Sequence, residues 1–184
     1  MIEIKDLRFS YGDKKIFDGF SISIPGGITC IAGMSGAGKT TLLRIIAGLE
    51  KPQAGTITGV PDKIAYMFQE DRLLSWLTVL GNVEAVLPAS KKELAAAALS
   101  DLELTDEMFR LPDDLSGGEK RRAALARALA YAGDLVLLDE PFKGLDEALI
   151  RRVAALIRSI KAQVIVVTHS PFEIELLGGG KITI

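Results

Sequence analysis

The chain has 184 residues, 48% hydrophobic and 25% charged, with a formal net charge of −2, which is ordinary for one globular domain with a full core. That charge offers no field to draw nucleic acid or an anionic membrane surface, and no run approaches the roughly 18 apolar residues of a membrane span. Cys30 is the only cysteine, so an internal disulfide is excluded and a reducing compartment is expected.

Residues 1–27 read as an antiparallel β region without the apolar core of a signal peptide. Ile2, Ile4, Phe9 and Tyr11 suggest one strand with a break near Asp6. Phe20, Ile22 and Ile24 alternate in a second, closed by Pro25-Gly26-Gly27. Thr29 to Ala32 is a short buried strand, with Cys30 a structural thiol. It runs into Gly33-Met34-Ser35-Gly36-Ala37-Gly38-Lys39-Thr40, which fits the phosphate-loop pattern G-x-x-x-x-G-K-[ST]. In such a loop the glycines let backbone N–H groups turn inward, the lysine reaches the outer phosphates and the threonine can ligate Mg²⁺. Lys39 to Leu49, including Thr41, reads as a helix with Leu42, Ile45, Ile46 and Leu49 on one apolar face. Phosphates would lie at its N-terminus, where free N–H groups and the dipole favour anions.

Thr56 to Val60 and Lys63 to Gln69 read as two more strands. From about Glu70 to Ala132 the chain becomes helical and alanine-rich. Ser90 followed by Glu93 predicts a capping box starting a helix through Leu94 to Leu102. Leu135 to Leu138 is a continuous apolar run, expected of a strand buried on both faces. Asp146 to Ile160 predicts a helix with Leu149, Val153, Leu156, Ile157 and Ile160 on one side, and Gln163 to Thr168 a further buried strand. Strands alternating with helices indicate an α/β parallel sheet with a helical insertion at about 70–132, all within one domain spanning 1–184.

Two further strings carry chemistry. Leu135 to Leu138 ends in Asp139-Glu140, which delivers carboxylates to the carboxyl edge of the sheet, where α/β ligands sit. Asp139 is placed to hold Mg²⁺ opposite Thr40, and Glu140 to polarise an attacking water. Leu115-Ser116-Gly117-Gly118-Glu119 precedes a helix containing Arg121, Arg122 and Arg127. Ser116 reads as its N-cap and Glu119 as an acid in its first turn. The same geometry presents a hydroxyl and a helix dipole to an anion.

With these strings in this order, nearly the whole chain resembles the ATP-binding subunits of ABC transporters, of the importer-like kind. The resemblance implies a P-loop NTPase with a mixed parallel core sheet, an N-terminal antiparallel β subdomain and an inserted α-helical subdomain. Leu115 to Glu119 is similar to the family signature, with Glu in place of the usual final Gln. Tyr11, otherwise a strand-end aromatic, matches the residue that stacks on adenine. Gln69 matches the glutamine that senses the γ-phosphate and Mg²⁺. Gly144-Leu145-Asp146 matches the segment touching the opposite subunit, and Asp146 also suits a helix N-cap. His169, the only histidine, matches the switch histidine that bonds the γ-phosphate, with a core histidine as the alternative.

The resemblance further implies ATP hydrolysis with Mg²⁺ in a head-to-tail dimer. Glu140, His169, Lys39 and Gln69 are then catalytic. Tyr11 and Gly33 to Thr41 hold the nucleotide, and Ser116, Gly117, Gly118 and Glu119 reach it in trans. Thr40, Gln69 and Asp139 face the metal. Expected partners are a second ATPase subunit and a separate transmembrane permease, with Arg72 to Trp76 facing the permease, or Trp76 in the core as the alternative, and the protein on the inner face of the membrane. A soluble ABC-type ATPase acting on DNA or ribosomes is the alternative, but no long coiled-coil insertion or second ATPase unit is present. Ser170 stands where Asp is frequent and Lys143 where a small residue is common. With the chain ending at Ile184, a C-terminal regulatory domain is not expected.

Overall fold

The computed structural model describes residues 1–184. Alternating apolar residues form β1 (Ile2–Tyr11) and β2 (Lys14–Ile24), and β3 (Ile28–Ala32) leads through the glycine loop into α1 (Lys39–Ile46). Strands β4 (Ala54–Thr58) and β5 (Ile64–Met67) precede three helices, α2 (Val79–Glu84), α3 (Glu93–Asp101) and α4 (Gly117–Tyr131). The chain then alternates through β6 (Leu135–Asp139), α5 (Glu147–Ser159), β7 (Gln163–Val167), α6 (Pro171–Leu177) and β8 (Gly180–Thr183).

The strands divide into a three-stranded sheet, β2-β1-β4, and a five-stranded sheet, β5-β6-β7-β3-β8. The smaller is antiparallel throughout, and the larger is parallel throughout. The antiparallel strands therefore do not mix into the core sheet but form a layer of their own. The break expected near Asp6 is an irregularity inside β1. Asp6 takes a left-handed φ of 50°, its N–H donates to Ser21 Oγ at 2.9 Å, and the register shifts between Ile4 and Leu7.

Alternation in the central strands sorts their side chains into two cores. Leu135, Leu137, Ile165, Val167 and Ile31 point to one face, where α1 and the antiparallel sheet cover them. Val136, Leu138, Val164, Val166 and Cys30 point to the other, against α2–α5. Each strand is thus buried on both sides, which is why β6 and β7 read as unbroken apolar runs. Because β6, β7 and β3 are parallel neighbours, their carboxyl ends emerge together. There Gly33, Glu140 and Thr168-His169 follow directly, at the edge where open α/β sheets bind ligands.

Two helix boundaries differ from expectation. Helix α1 stops at Ile46, not Leu49: Gly48 turns left-handed at φ 71°, and the Leu49 N–H donates back to the Arg44 carbonyl at 2.9 Å. That arrangement is a glycine C-cap of the Schellman kind, and Leu49 is 55% exposed instead of continuing the apolar face. At α3 no Ser90 capping box forms. Residues Ala89–Lys91 make a 3₁₀ turn that runs straight into the helix, so Lys92 takes the N-cap place with helical dihedrals and no side-chain cap. Elements α6 and β8, beyond the last expected strand, complete the sheet edge. Gly33 lies so close to the Ile184 carbonyl there that a Cβ would clash.

Candidate active site

Between Gly33 and Gly38, the Ala37 N–H is the only one spent on another backbone carbonyl, Met34 O at 3.2 Å. The first-turn N–H groups of α1 have no intrahelical partner. The loop is therefore lined with free donors at a helix start, a cradle suited to anionic oxygens. Gly36 and Gly38 hold φ of 82° and 96°, where a side chain is strained. Gly38 has a second reason to be glycine: a Cβ would meet Ile16 and Phe17 at 2.8 and 2.9 Å. The Lys39 ammonium arches back to the carbonyls of Gly33 and Met34 at 2.9 and 2.8 Å, so its charge hangs over the loop.

These groups open into a cleft of about 590 Å³. Of the expected nucleotide-binding residues, Tyr11, Gly33, Ser35, Gly36, Gly38, Lys39, Thr40 and Thr41 line it, and Gln69, Glu140 and His169 line it with them. Met34 is 83% exposed, and neither it nor Ala37 is among the lining residues. Lys14 and Ile16 also line the cleft, and neither stands in any of the recognised strings. The tight hairpin that sets Lys14 opposite Tyr11 brings them in. Tyr11 offers an exposed ring in a T-shaped contact with Phe9, and its hydroxyl donates to Glu50 at 3.1 Å.

Asp139 lies just behind the cleft wall. It is 1% exposed, and neither carboxylate oxygen makes a well-formed hydrogen bond, the Thr40 hydroxyl being the polar group beside it. Burial pushes its pKa up, the Thr40 hydroxyl opposes this, Glu140 adds to it, and Arg121 and Arg44 oppose it more weakly. An acid so placed calls for a cation. No group of three or more His, Cys, Asp or Glu is gathered to hold one by itself, but Mg²⁺ takes one or two protein oxygens and completes its shell with phosphate and water. Thr40 and Asp139 fit that requirement.

Glu140 sits half-buried on the left-handed backbone, φ 52°. Its N–H donates to the Val167 carbonyl at 3.0 Å, tying it to the strand that carries His169. The Thr168 hydroxyl donates to Glu173 Oε2 and accepts from the Ser170 N–H at 3.2 Å. Burial raises the Glu173 pKa. Ser170, departing from the family's frequent Asp, still caps α6 by accepting from the Glu173 N–H at 3.4 Å.

Ser116 to Glu119 lies outside the cleft. Ser116 accepts from the Glu119 N–H at 3.3 Å, and Glu119 Oε2 accepts from the Ser116 N–H at 2.9 Å, a complete capping box. That backbone bond is the main cause lowering the Glu119 pKa. Glu in place of Gln is thereby explained, since either closes the box. Ser116 and Gly117 are exposed, and Gly118 lies beside Gly144. Asp146 caps α5, accepting from the Leu149 N–H at 2.9 Å.

Sequence reading overlooked Asn82, which is fully buried. Its side chain accepts from the Leu74 N–H at 2.7 Å and donates to the carbonyls of Leu74, Leu77 and Thr78 at 3.0–3.2 Å. It pins the loop that leaves Trp76 73% exposed.

The ABC transporter family model matches residues 18–143. The chain is 42% identical over 175 residues to the aliphatic sulfonates import ATP-binding protein SsuB 1 of Nocardia farcinica, covering 91% of this chain and 71% of that protein. It is 39% identical over 187 residues to SsuB 1 of Paraburkholderia xenovorans, covering 96% of this chain and 55% of that one. Among solved structures, the dimeric bacterial ABC transporter cassette MJ0796 superposes with TM-score 0.85 at 28% identity, over 100% of this chain and 94% of that one. Its dimeric post-hydrolysis state bound to ADP and Pi gives 0.83 at 26%, with the same coverage.

Proposed function

The chain belongs to the ABC transporter family as an ATP-binding and ATP-hydrolysing cassette, and from that premise we propose that it energises the import of a small solute through a separate permease. The observation that carries the site assignment is the meeting of the phosphate loop, Gln69, Glu140 and His169 around one cleft, while the capped signature turn faces outward. A site divided in this way is completed by a second copy or a related chain, whose Ser116 and Gly117-Gly118 amides close over the γ-phosphate. The MJ0796 dimers support that arrangement. The names of the sulfonate-import relatives support the direction of transport.

Within the cleft, Tyr11 stacks on the base, and the free N–H groups of Gly33 to Thr41 together with Lys39 hold the phosphates. Thr40 and Asp139 would hold Mg²⁺, which would supply charge neutralisation on the phosphate oxygens, with Gln69 a further side-chain oxygen lining the cleft. Glu140 orients and polarises the attacking water, and His169 donates a hydrogen bond to the γ-phosphate. Phosphoryl transfer depends chiefly on positioning and charge, so donors arriving in trans couple hydrolysis to dimer closure. Residues about 70–132 act as a helical subdomain that meets the permease. Support comes from the Asn82-pinned loop presenting Trp76. No helix is long and apolar enough to cross a membrane, so the membrane location is supplied by the permease, on the cytoplasmic face.

Glu140→Gln keeps the shape of the side chain but removes its basicity. With ATP and Mg²⁺ it is expected to accumulate as a dimer in size-exclusion chromatography while phosphate release falls by at least about 100-fold. Hydrolysis at the normal rate by this variant would remove Glu140 from the role of base.

A further inference from the structure

Arg121 is 5% exposed, and two edges of the cleft converge on its guanidinium. One nitrogen, Nη1, donates to the carbonyls of Phe68 and Gln69 at 2.8 and 2.9 Å and to Asp71 Oδ1 at 3.2 Å. The other, Nη2, donates to the carbonyls of Asp139 and Glu140. A buried cation is tolerated only when paired and hydrogen-bonded, and the Asp71 carboxylate supplies the counter-charge. What the other four bonds hold is backbone: the peptide units carrying Gln69 and Glu140.

We propose that Arg121 is a positioning residue for hydrolysis, a planar cross-link that sets Gln69 and Glu140 in register and holds Glu140 in its left-handed conformation. The inference rests on the reading of Glu140 as the base. A left-handed backbone at a residue with a side chain is sterically disfavoured and persists where the surroundings over-determine it. Here the determinants are Arg121 on the carbonyls at either side of the Glu140 Cα and the Val167 carbonyl on its N–H. Arg121 also lies only two residues beyond Glu119, on the first turns of α4. A movement of the signature turn therefore passes through this guanidinium to Gln69 and Glu140. Arg127, further along the same helix, donates to the carbonyls of Asp71 and Arg72 at 2.9 and 2.8 Å and touches neither Asp139 nor Glu140. It supplies an internal control.

The decisive variant is Arg121→Lys, which keeps the charge but loses the planar fork needed to bridge both segments. Steady-state ATPase activity and nucleotide affinity are measured for the folded variant. The expected result is a fall in kcat of about 10- to 100-fold, the scale of an ångström-level misplacement, with ATP KM within about threefold. Arg127→Lys should leave kcat within about threefold. Because Arg121 acts in part through Glu140, single-turnover hydrolysis should lose a smaller factor on adding Arg121→Lys in the Glu140→Gln background than in the wild type. Hydrogen exchange gives a readout independent of turnover: Arg121→Lys should speed exchange in both 68–72 and 139–143. If the lysine variant does not fold, Arg121→Gln enters the same assays. Equal losses in the two backgrounds, an unchanged kcat, or faster exchange in 68–72 alone would overturn the proposal. Coupled exchange in both segments, with the wild-type chain failing to hydrolyse ATP, would sustain the cross-link and sink the functional reading instead.

Discussion

Asp139→Asn should make the protein more stable without Mg²⁺ and less responsive with it. The carboxylate is 1% exposed, and neither oxygen makes a well-formed hydrogen bond. An unsatisfied buried polar group costs about 1–3 kcal/mol, and a charged one more. Asparagine has the same shape without the charge. At roughly 2–4 °C per kcal/mol for a domain of this size, relief of even part of that cost raises Tm by several degrees. The pH dependence has a definite sign. Burial raises the folded pKa of Asp139 above the ordinary carboxylate range, so between the unfolded and folded values the native state holds a proton that the unfolded state has released. Wild-type stability therefore falls as pH rises from about 4 to the folded value. The two proteins coincide below that window, and the variant's advantage is constant above it. Adding ATP with Mg²⁺ stabilises the wild type by mass action, about 2.7 kcal/mol at a hundredfold excess over Kd, and Asn removes the magnesium-dependent part. Thermal melts at pH 4–8, in chelator, in ATP alone and in ATP with Mg²⁺, provide the measurement. A variant that melts below wild type in chelator at pH 7, or gains as much from Mg²⁺, would refute both the burial argument and the metal assignment.

Tyr11→Ala removes one stacking face, worth about 1–3 kcal/mol. Equilibrium titration with a fluorescent ATP analogue should show affinity weakened about 5- to 150-fold, and an unchanged affinity would return Tyr11 to the role of a strand-end aromatic. Gly38→Ala forces a side chain onto φ 96° and against Ile16 and Phe17, with backbone strain alone of about 1–2 kcal/mol. It should abolish measurable nucleotide binding in the same titration and lower Tm by several degrees. Wild-type binding would show that the hairpin yields without disturbing the loop.

Much of this site was legible because its parts are contiguous strings with local physics. Gly33 to Thr40 is a turn whose function is set by its own backbone angles. Ser116 to Glu119 closes its capping box within four residues, and Leu135 to Asp139 is apolar because both faces are buried. Where local signals misled, a neighbouring turn prevailed: Gly48 ends α1 early, and the 3₁₀ turn at Ala89–Lys91 displaces the Ser90 cap. Lys14 enters the cleft by hairpin register, and Asn82 acts on a loop up to eight residues away. Neither has a pattern of its own.

The order of strings by itself determined the family and the alternation of strands with helices, since each string depends on neighbours within a turn or a strand. Only the tertiary structure decided that Asp139 is an unpaired acid behind the cleft wall and that Glu140 is held left-handed. It alone decided that Arg121, one of three arginines in a row of alanines, spans 53 residues back to Phe68 and 19 forward to Glu140. Such bonds join atoms that the chain separates widely, and the guanidinium's bonds run almost wholly to carbonyls that every residue carries, so no side-chain pattern can announce them.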